Sequence, residues 1–200
     1  MNNNTINLND AIITKVLDGY DKKRKSDDWV GIIIHHTGVG GRTHIDEPLW
    51  SRLNRNIANY LGKKDSVYVS AHFQIGRSGE VTQIVNPDYY IAYHAGRSNF
   101  WHPVKRKMVT SWNKYSIGIE LLGDGAHHEY TEEQYKALGA LTGFLYQRYP
   151  TINPQCIVGH EMISPGRKTD PGESFDWRRY YFEITSQVPV DSSKKPIILS

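Results

Sequence analysis

The chain has one cysteine, Cys156, in 200 residues. That excludes an intramolecular disulfide framework and any zinc site built from cysteine alone. No apolar run reaches 18 residues, so no segment reads as a membrane-spanning helix. The first residues, Met1-Asn2-Asn3-Asn4-Thr5, lack the basic and apolar regions of a secretory signal. The expectation is a protein made in the cytosol and kept there unless another factor releases it. An excess of one charge is also missing. Lys and Arg total 24 and Asp and Glu total 21, for a net charge of +3. That balance does not point to nucleic acid as a partner. It leaves approach to an anionic polymer such as a bacterial wall unhindered. No internal repeat and no long linker is visible, which favours one domain.

What is present is ordinary globular composition, with 38% apolar residues and 17 glycines, enough to build a core in a chain of this length. Residues 1–29 read as an N-terminal extension, with Ile6, Leu8, Ile12, Ile13, Val16 and Leu17 among polar residues. A charged run from Asp21 to Asp28 closes that extension. Residues 30–185 read as the catalytic domain and 186–200 as a C-terminal tail. Val30 to Ile34 has the continuous apolar character of a buried strand, and Ser116 to Leu122 reads the same way. Pro48 to Leu61 reads as a helix, with Leu49, Leu53, Ile57 and Leu61 on one face. Val67–Ile75 and Glu80–Val85 read as paired strands around an Arg77-Ser78-Gly79 turn. Thr131 and Gln134 form a capping-box pattern at the head of a helix. That helix carries Tyr135, Leu138, Leu141, Leu145 and Tyr149 as its apolar stripe and stops at Pro150. Gln155–Val158 reads as a last short strand. The fold class is α/β, a central mixed sheet flanked by helices.

Polar residues at the ends of these strands carry the chemistry. His35 and His36 follow Ile32-Ile33-Ile34, and His160 follows Ile157-Val158-Gly159. Strand ends and the loops after them are where ligands collect in α/β sheets. Taken singly, each histidine also fits a structural role. The stretch from Gly159 to Gly172 changes the reading, because it sets His160 and Asp170 ten residues apart across a loop rich in proline and glycine. A histidine from another strand would complete three ligands and leave one position open, the pattern of catalytic zinc. Imidazole and carboxylate suit zinc, and other divalent ions also fit. Glu120 lies between Ile119 and Leu121 on a strand. It is either an ion-paired strand glutamate or a buried general base with a raised pKa. Lys168, two residues before Asp170, is either a surface charge or a fixed ammonium for an oxyanion.

Five segments together resemble one family, the zinc-dependent N-acetylmuramoyl-L-alanine amidases, which include amidase-type phage lysozymes, recycling amidases and peptidoglycan recognition proteins. The segments are Ile32–Gly38, Val69–Glu80, Tyr93-His94-Ala95-Gly96, Ser116–Leu121 and Gly159–Gly172. They occur in the family's order across residues 30–180. The resemblance implies Zn2+ held by His35, His160 and Asp170 in a surface groove. It implies Glu120 and Lys168 as catalytic residues. His94 and Asn113 fall where the family lines its substrate groove, and His36 falls where a residue shapes the pocket. Arg97, Trp101 and Arg167 are further candidates for glycan or peptide contacts.

The expected function is hydrolysis of the bond between N-acetylmuramic acid and L-alanine. A phage-type endolysin acting on the cell wall is the leading reading. Asp170 and Ala71 stand where short phage lysozymes carry Cys and Tyr, and both match the branch that includes cytosolic recycling amidases. A recycling amidase acting on anhydromuropeptides is therefore the alternative, with a non-catalytic peptidoglycan-binding protein as the other. The expected partner is peptidoglycan or a muropeptide, and the expected state is a monomer.

Overall fold

In the computed structural model, residues 12–14, 29–38 and 70–187 are described. The helix expected over Pro48–Leu61 and the charged run from Asp21 to Asp28 lie outside them. The described strands are β1 (Ile12–Thr14), β2 (Gly31–His36), β3 (Phe73–Ile75), β4 (Val81–Gln83), β5 (Asn99–His102), β6 (Lys107–Thr110), β7 (Ser116–Leu121) and β8 (Ile157–Gly159). The described α-helices are α1 (Glu132–Arg148), α2 (His160–Ile163) and α3 (Trp177–Gln187).

Six strands form one sheet in the order β1-β4-β3-β7-β2-β8. Among the described residues of this sheet, only β3 and β4 pair antiparallel; every other neighbouring pair is parallel. The sheet is mixed, as the sequence pattern implies. β2 and β7 are neighbouring interior strands of it, which explains their unbroken apolar runs: parallel strands covered on both faces need no polar side. Ile12–Thr14, within the stretch read as an extension, forms the edge strand β1 beside β4.

One sheet face supplies Ile32, Ile34, Phe73, Ile75, Ile117 and Ile119 to the main core, where Leu138, Leu141, Leu145, Tyr180 and Ile184 from α1 and α3 cover them. α1 begins as its sequence dictates. The Thr131 Oγ1 accepts from the Gln134 backbone N–H, and the Gln134 Oε1 accepts from the Thr131 N–H. Its two N-terminal glutamates and terminal Arg148 suit the helix dipole. α3 was not legible in the sequence pattern. It presses close to α1 at Gly139, where a Cβ would collide with Glu183. The Thr142 hydroxyl also shares a 2.7 Å hydrogen bond with the Tyr180 hydroxyl.

The other sheet face is thinner. Ile33 packs there with Val30, Ala95, Trp112, Cys156 and Ile163. The β5–β6 hairpin leans on this cluster through Phe100 and Val109. Its partner pair Trp101 and Met108 stays about half exposed. This face, at the C-terminal ends of β2, β7 and β8, holds the polar residues discussed next.

Candidate metal centre

Parallel pairing of β2 with β7 sets His35 opposite Glu120, one step beyond Ile34 opposite Ile119. Side chains alternate along strands. His35 and Glu120 therefore leave the sheet on the thin face, while Ile34 and Ile119 enter the core. β8 pairs with β2 through Gly159 opposite Ile34, so the next residue, His160, opens α2 beside His35. The loop after α2 returns Asp170 to the same point, where the Glu161 N–H donates to the Asp170 carbonyl. Tyr130 secures the far side of this loop with a 2.6 Å hydrogen bond from its hydroxyl to the Pro171 carbonyl.

The three side chains meet closely. His35 Nδ1 lies 3.0 Å from His160 Nδ1, and each lies 2.9 Å from Asp170 Oδ2. All three residues are buried. The network around them assigns the ring protons. His94 Nε2 lies 3.1 Å from the Ser116 carbonyl, which can only accept, so that nitrogen carries hydrogen. His94 Nδ1 is then bare and accepts from His35 Nε2 at 2.9 Å. His35 has thereby used its one proton, and its Nδ1 is bare. His160 Nε2 lies 3.1 Å from the Ala95 carbonyl, which assigns its proton in the same way and leaves Nδ1 bare. Arg167 Nη2 also reaches that imidazole nitrogen at 3.2 Å, and it has the Ala95 and Arg97 carbonyls and Ser164 Oγ as acceptors.

Two imidazole lone pairs and a carboxylate oxygen therefore point at one another with no proton between them. A cation satisfies such a triangle, whether a proton on one Nδ1 or a metal ion held by all three side chains. Ligands of a tetrahedral zinc with bonds of about 2.0–2.1 Å stand about 3.3 Å apart, so a few tenths of an ångström of opening seats the ion. This is the one such group of metal-capable side chains among the described residues. Two neutral imidazoles and one carboxylate fit zinc.

Electrostatics agree with that donor set. Burial pushes the His35 imidazole down to about 4, so the ring is neutral near pH 7. Burial and then the Asp170 charge push the Glu120 carboxyl well above the usual range, and only Lys168 opposes them. The Glu120 Oε2 is buried without a hydrogen-bond partner. Lys168 itself is exposed, yet its charge is felt at both Glu120 and His35.

The remaining residues singled out in the sequence are spread more widely. His94 lies behind His35 and is 7% exposed. Gly118 makes room for it, since a Cβ there would run into the His94 ring. Asn113 directs Oδ1 at the backbone N–H groups of His94 (3.0 Å) and Ala95 (2.6 Å). His36 ends β2, where its Nδ1 accepts from the Gly38 N–H. Arg167 ties its own loop to the Ala95 and Arg97 carbonyls. Arg97 is exposed, and Trp101 sits on the outer hairpin face. The Ser116 and Ala95 carbonyls and Gly118 also serve the site. Main-chain acceptors and a glycine carry no mark in a sequence that would distinguish them.

Residues 25–173 match the N-acetylmuramoyl-L-alanine amidase family. The chain is 38% identical to the 1,6-anhydro-N-acetylmuramyl-L-alanine amidase AmpD of Haemophilus influenzae over 169 residues. That match covers 82% of this chain and 88% of the relative. A crystal structure of an AmpD selenomethionine derivative superposes with a TM-score of 0.65 at 31% identity, covering 90% of this chain and 95% of that one. A mutant endolysin from Bacillus subtilis superposes with a TM-score of 0.55 at 22% identity, covering 86% and 97%, a likeness of fold alone.

Proposed function

Because the chain belongs to the N-acetylmuramoyl-L-alanine amidase family, we propose that it cleaves the amide between 1,6-anhydro-N-acetylmuramic acid and L-alanine in soluble muropeptides, as a cytosolic recycling enzyme. The observation that carries the amidase chemistry is the meeting of His35 Nδ1, His160 Nδ1 and Asp170 Oδ2 within 3.0 Å, with Glu120 opposite His35. The substrate assignment draws on the AmpD relative, which is alike over four fifths of both chains. It takes the place of the phage-type endolysin, for which the likeness is one of fold alone. The catalytic domain is proposed to span residues 30–185, with Ile12–Thr14 added as the edge strand of its sheet.

His35, His160 and Asp170 would hold zinc. Bound there, zinc would supply Lewis acidity toward the scissile carbonyl and lower the pKa of water. Glu120 has a raised pKa and an unpaired Oε2. Those properties suit it to take the proton of the attacking water and return it to the leaving L-alanine amine. Lys168 offers a positive charge from the exposed side, where the carbonyl oxygen gains negative charge. The bond from lactyl carbon to nitrogen breaks, a bond from that carbon to the water oxygen forms, and the water's protons end on the amine and the solvent. Arg97, Trp101, Arg167 and His36 are proposed to border the groove that receives glycan and peptide.

The test is parallel digestion of purified anhydromuropeptide and intact sacculi by the zinc-loaded protein, with and without chelator. Mass spectrometry scores peptides with a new N-terminal L-alanine. Chelator-sensitive release from the soluble fragment, with little from sacculi, is expected. Equal release from sacculi restores the endolysin reading. Binding to either substrate without release marks a non-catalytic protein.

A further inference from the structure

Both histidines of the centre lean on one dipeptide. His35 donates Nε2–H to the His94 ring, and His160 donates Nε2–H to the Ala95 carbonyl. These neighbouring residues are separated from the two ligands by 59 and 65 positions in sequence. The dipeptide is in turn held by Asn113, whose Oδ1 accepts from both its backbone N–H groups, and by His94 Nε2–H donating to Ser116. The same two chain segments are laced together again at Ser98. Its carbonyl accepts from the Ser111 N–H at 3.2 Å, and its Oγ accepts from the Trp112 N–H at 2.9 Å.

We infer that Asn113 is a positioning residue for the metal centre: through the backbone of His94–Ala95 it fixes the orientation and tautomer of both histidine ligands. The assignment rests on the reading of His35, His160 and Asp170 as a metal site. It gives Asn113 work other than contact with substrate, because its side-chain oxygen is spent on two main-chain donors. Only an acceptor of that reach satisfies both. Without it, two N–H groups in a partly buried segment lose their partner, and the surfaces that orient both rings shift together. Outer partners of metal-bound histidines fix ring orientation and typically account for about 10–100-fold in metal affinity.

The experiment measures zinc affinity by competition with a chromophoric chelator for the wild-type chain, Asn113→Ala and Asn113→Asp. Asn113→Ala is expected to bind zinc about 10–100-fold more weakly. Asn113→Asp is expected to recover most of the loss, because its carboxylate accepts the same two N–H groups. KM for the muropeptide is expected to stay near the wild-type value in whatever zinc-loaded Asn113→Ala remains. Long-range proton–nitrogen spectra of the zinc-loaded wild type are expected to show Nε2–H on His35, His94 and His160. Wild-type zinc affinity in Asn113→Ala with a raised KM overturns the inference and returns Asn113 to the groove. Nδ1–H on His94 overturns it as well, and this measurement stands even if Asn113→Ala does not fold. A wild-type chain that binds no zinc overturns the metal reading itself, and the inference with it.

Discussion

His35 and Glu120 occupy directly paired positions on the parallel strands β2 and β7, so the sheet itself sets the distance between a proposed ligand and the carboxylate beside it. The head of α2 supplies His160 and the loop after it supplies Asp170, but His35 and Glu120 come from the sheet interior. Replacing Glu120 by Gln keeps the shape and removes the proposed base. Turnover of anhydromuropeptide is expected to fall by about 10²–10⁴-fold while bound zinc stays stoichiometric. Product release by mass spectrometry and metal content measured on the same sample check this.

The same substitution is expected to stabilise the metal-free protein. Glu120 has its folded pKa raised above the ordinary value of 4.5 by burial. Between those two values the folded state holds more protons than the unfolded state, so stability falls as pH rises through the window. The cost is complete above the folded pKa and absent below about pH 4.5. Metal-free Glu120→Gln should therefore melt above wild type at pH 7, with the gap closing toward pH 4. Thermal melts across that range read the sign directly.

Removal of metal is expected to abolish turnover and to lower the melting temperature. A ligand present at 100 times its Kd stabilises by about 2.7 kcal/mol. For a chain of this size that is about 5–10 °C. Melts with zinc, with chelator and with zinc restored check both direction and reversibility.

Lys168→Met is expected to lower kcat by about 10²–10³-fold with little change in KM or zinc affinity, since the ammonium is proposed to act on charge that develops during the reaction. Steady-state kinetics on the soluble fragment separate the two constants.

Thr131→Ala tests a part of the fold remote from the chemistry. It removes the cap of α1 and a 2.6 Å hydrogen bond from Oγ1 to the Arg77 carbonyl. The expected loss is about 1–2 kcal/mol of stability with unchanged kcat, measured by denaturant melts and turnover.

Much of this arrangement was legible because local chemistry and tertiary role coincide. The Ile32–Ile34 run is apolar on both faces, so it reads as the central strand it forms. Thr131, Gln134 and the Tyr135–Leu145 stripe specify α1 without help from elsewhere. The last strand lies slightly later than read, at Ile157–Gly159, because Pro154–Cys156 closes as a 3-10 turn first. The β5–β6 hairpin was not legible: its outer face exposes Trp101 and Met108, so its alternation does not separate apolar from polar. In α3, Trp177, Tyr180, Tyr181 and Phe182 crowd aromatic groups around the helix, and only Tyr180 and Ile184 are buried. His35, His160 and Asp170 stood out through their positions after strands and in a Pro/Gly-rich loop. The place of His94 behind His35 depends on a contact 59 residues away and on the missing side chain of Gly118.

The shared footing of His35 and His160 on His94–Ala95 means that their errors are correlated. A disturbance there tilts both rings at once, and the centre fails as a unit rather than by losing one ligand at a time. If Asn113 positions both ligands as inferred, a homologue that retains every metal-binding side chain would still hold zinc far more weakly after one change at Asn113. Counting ligands in an alignment would miss that loss.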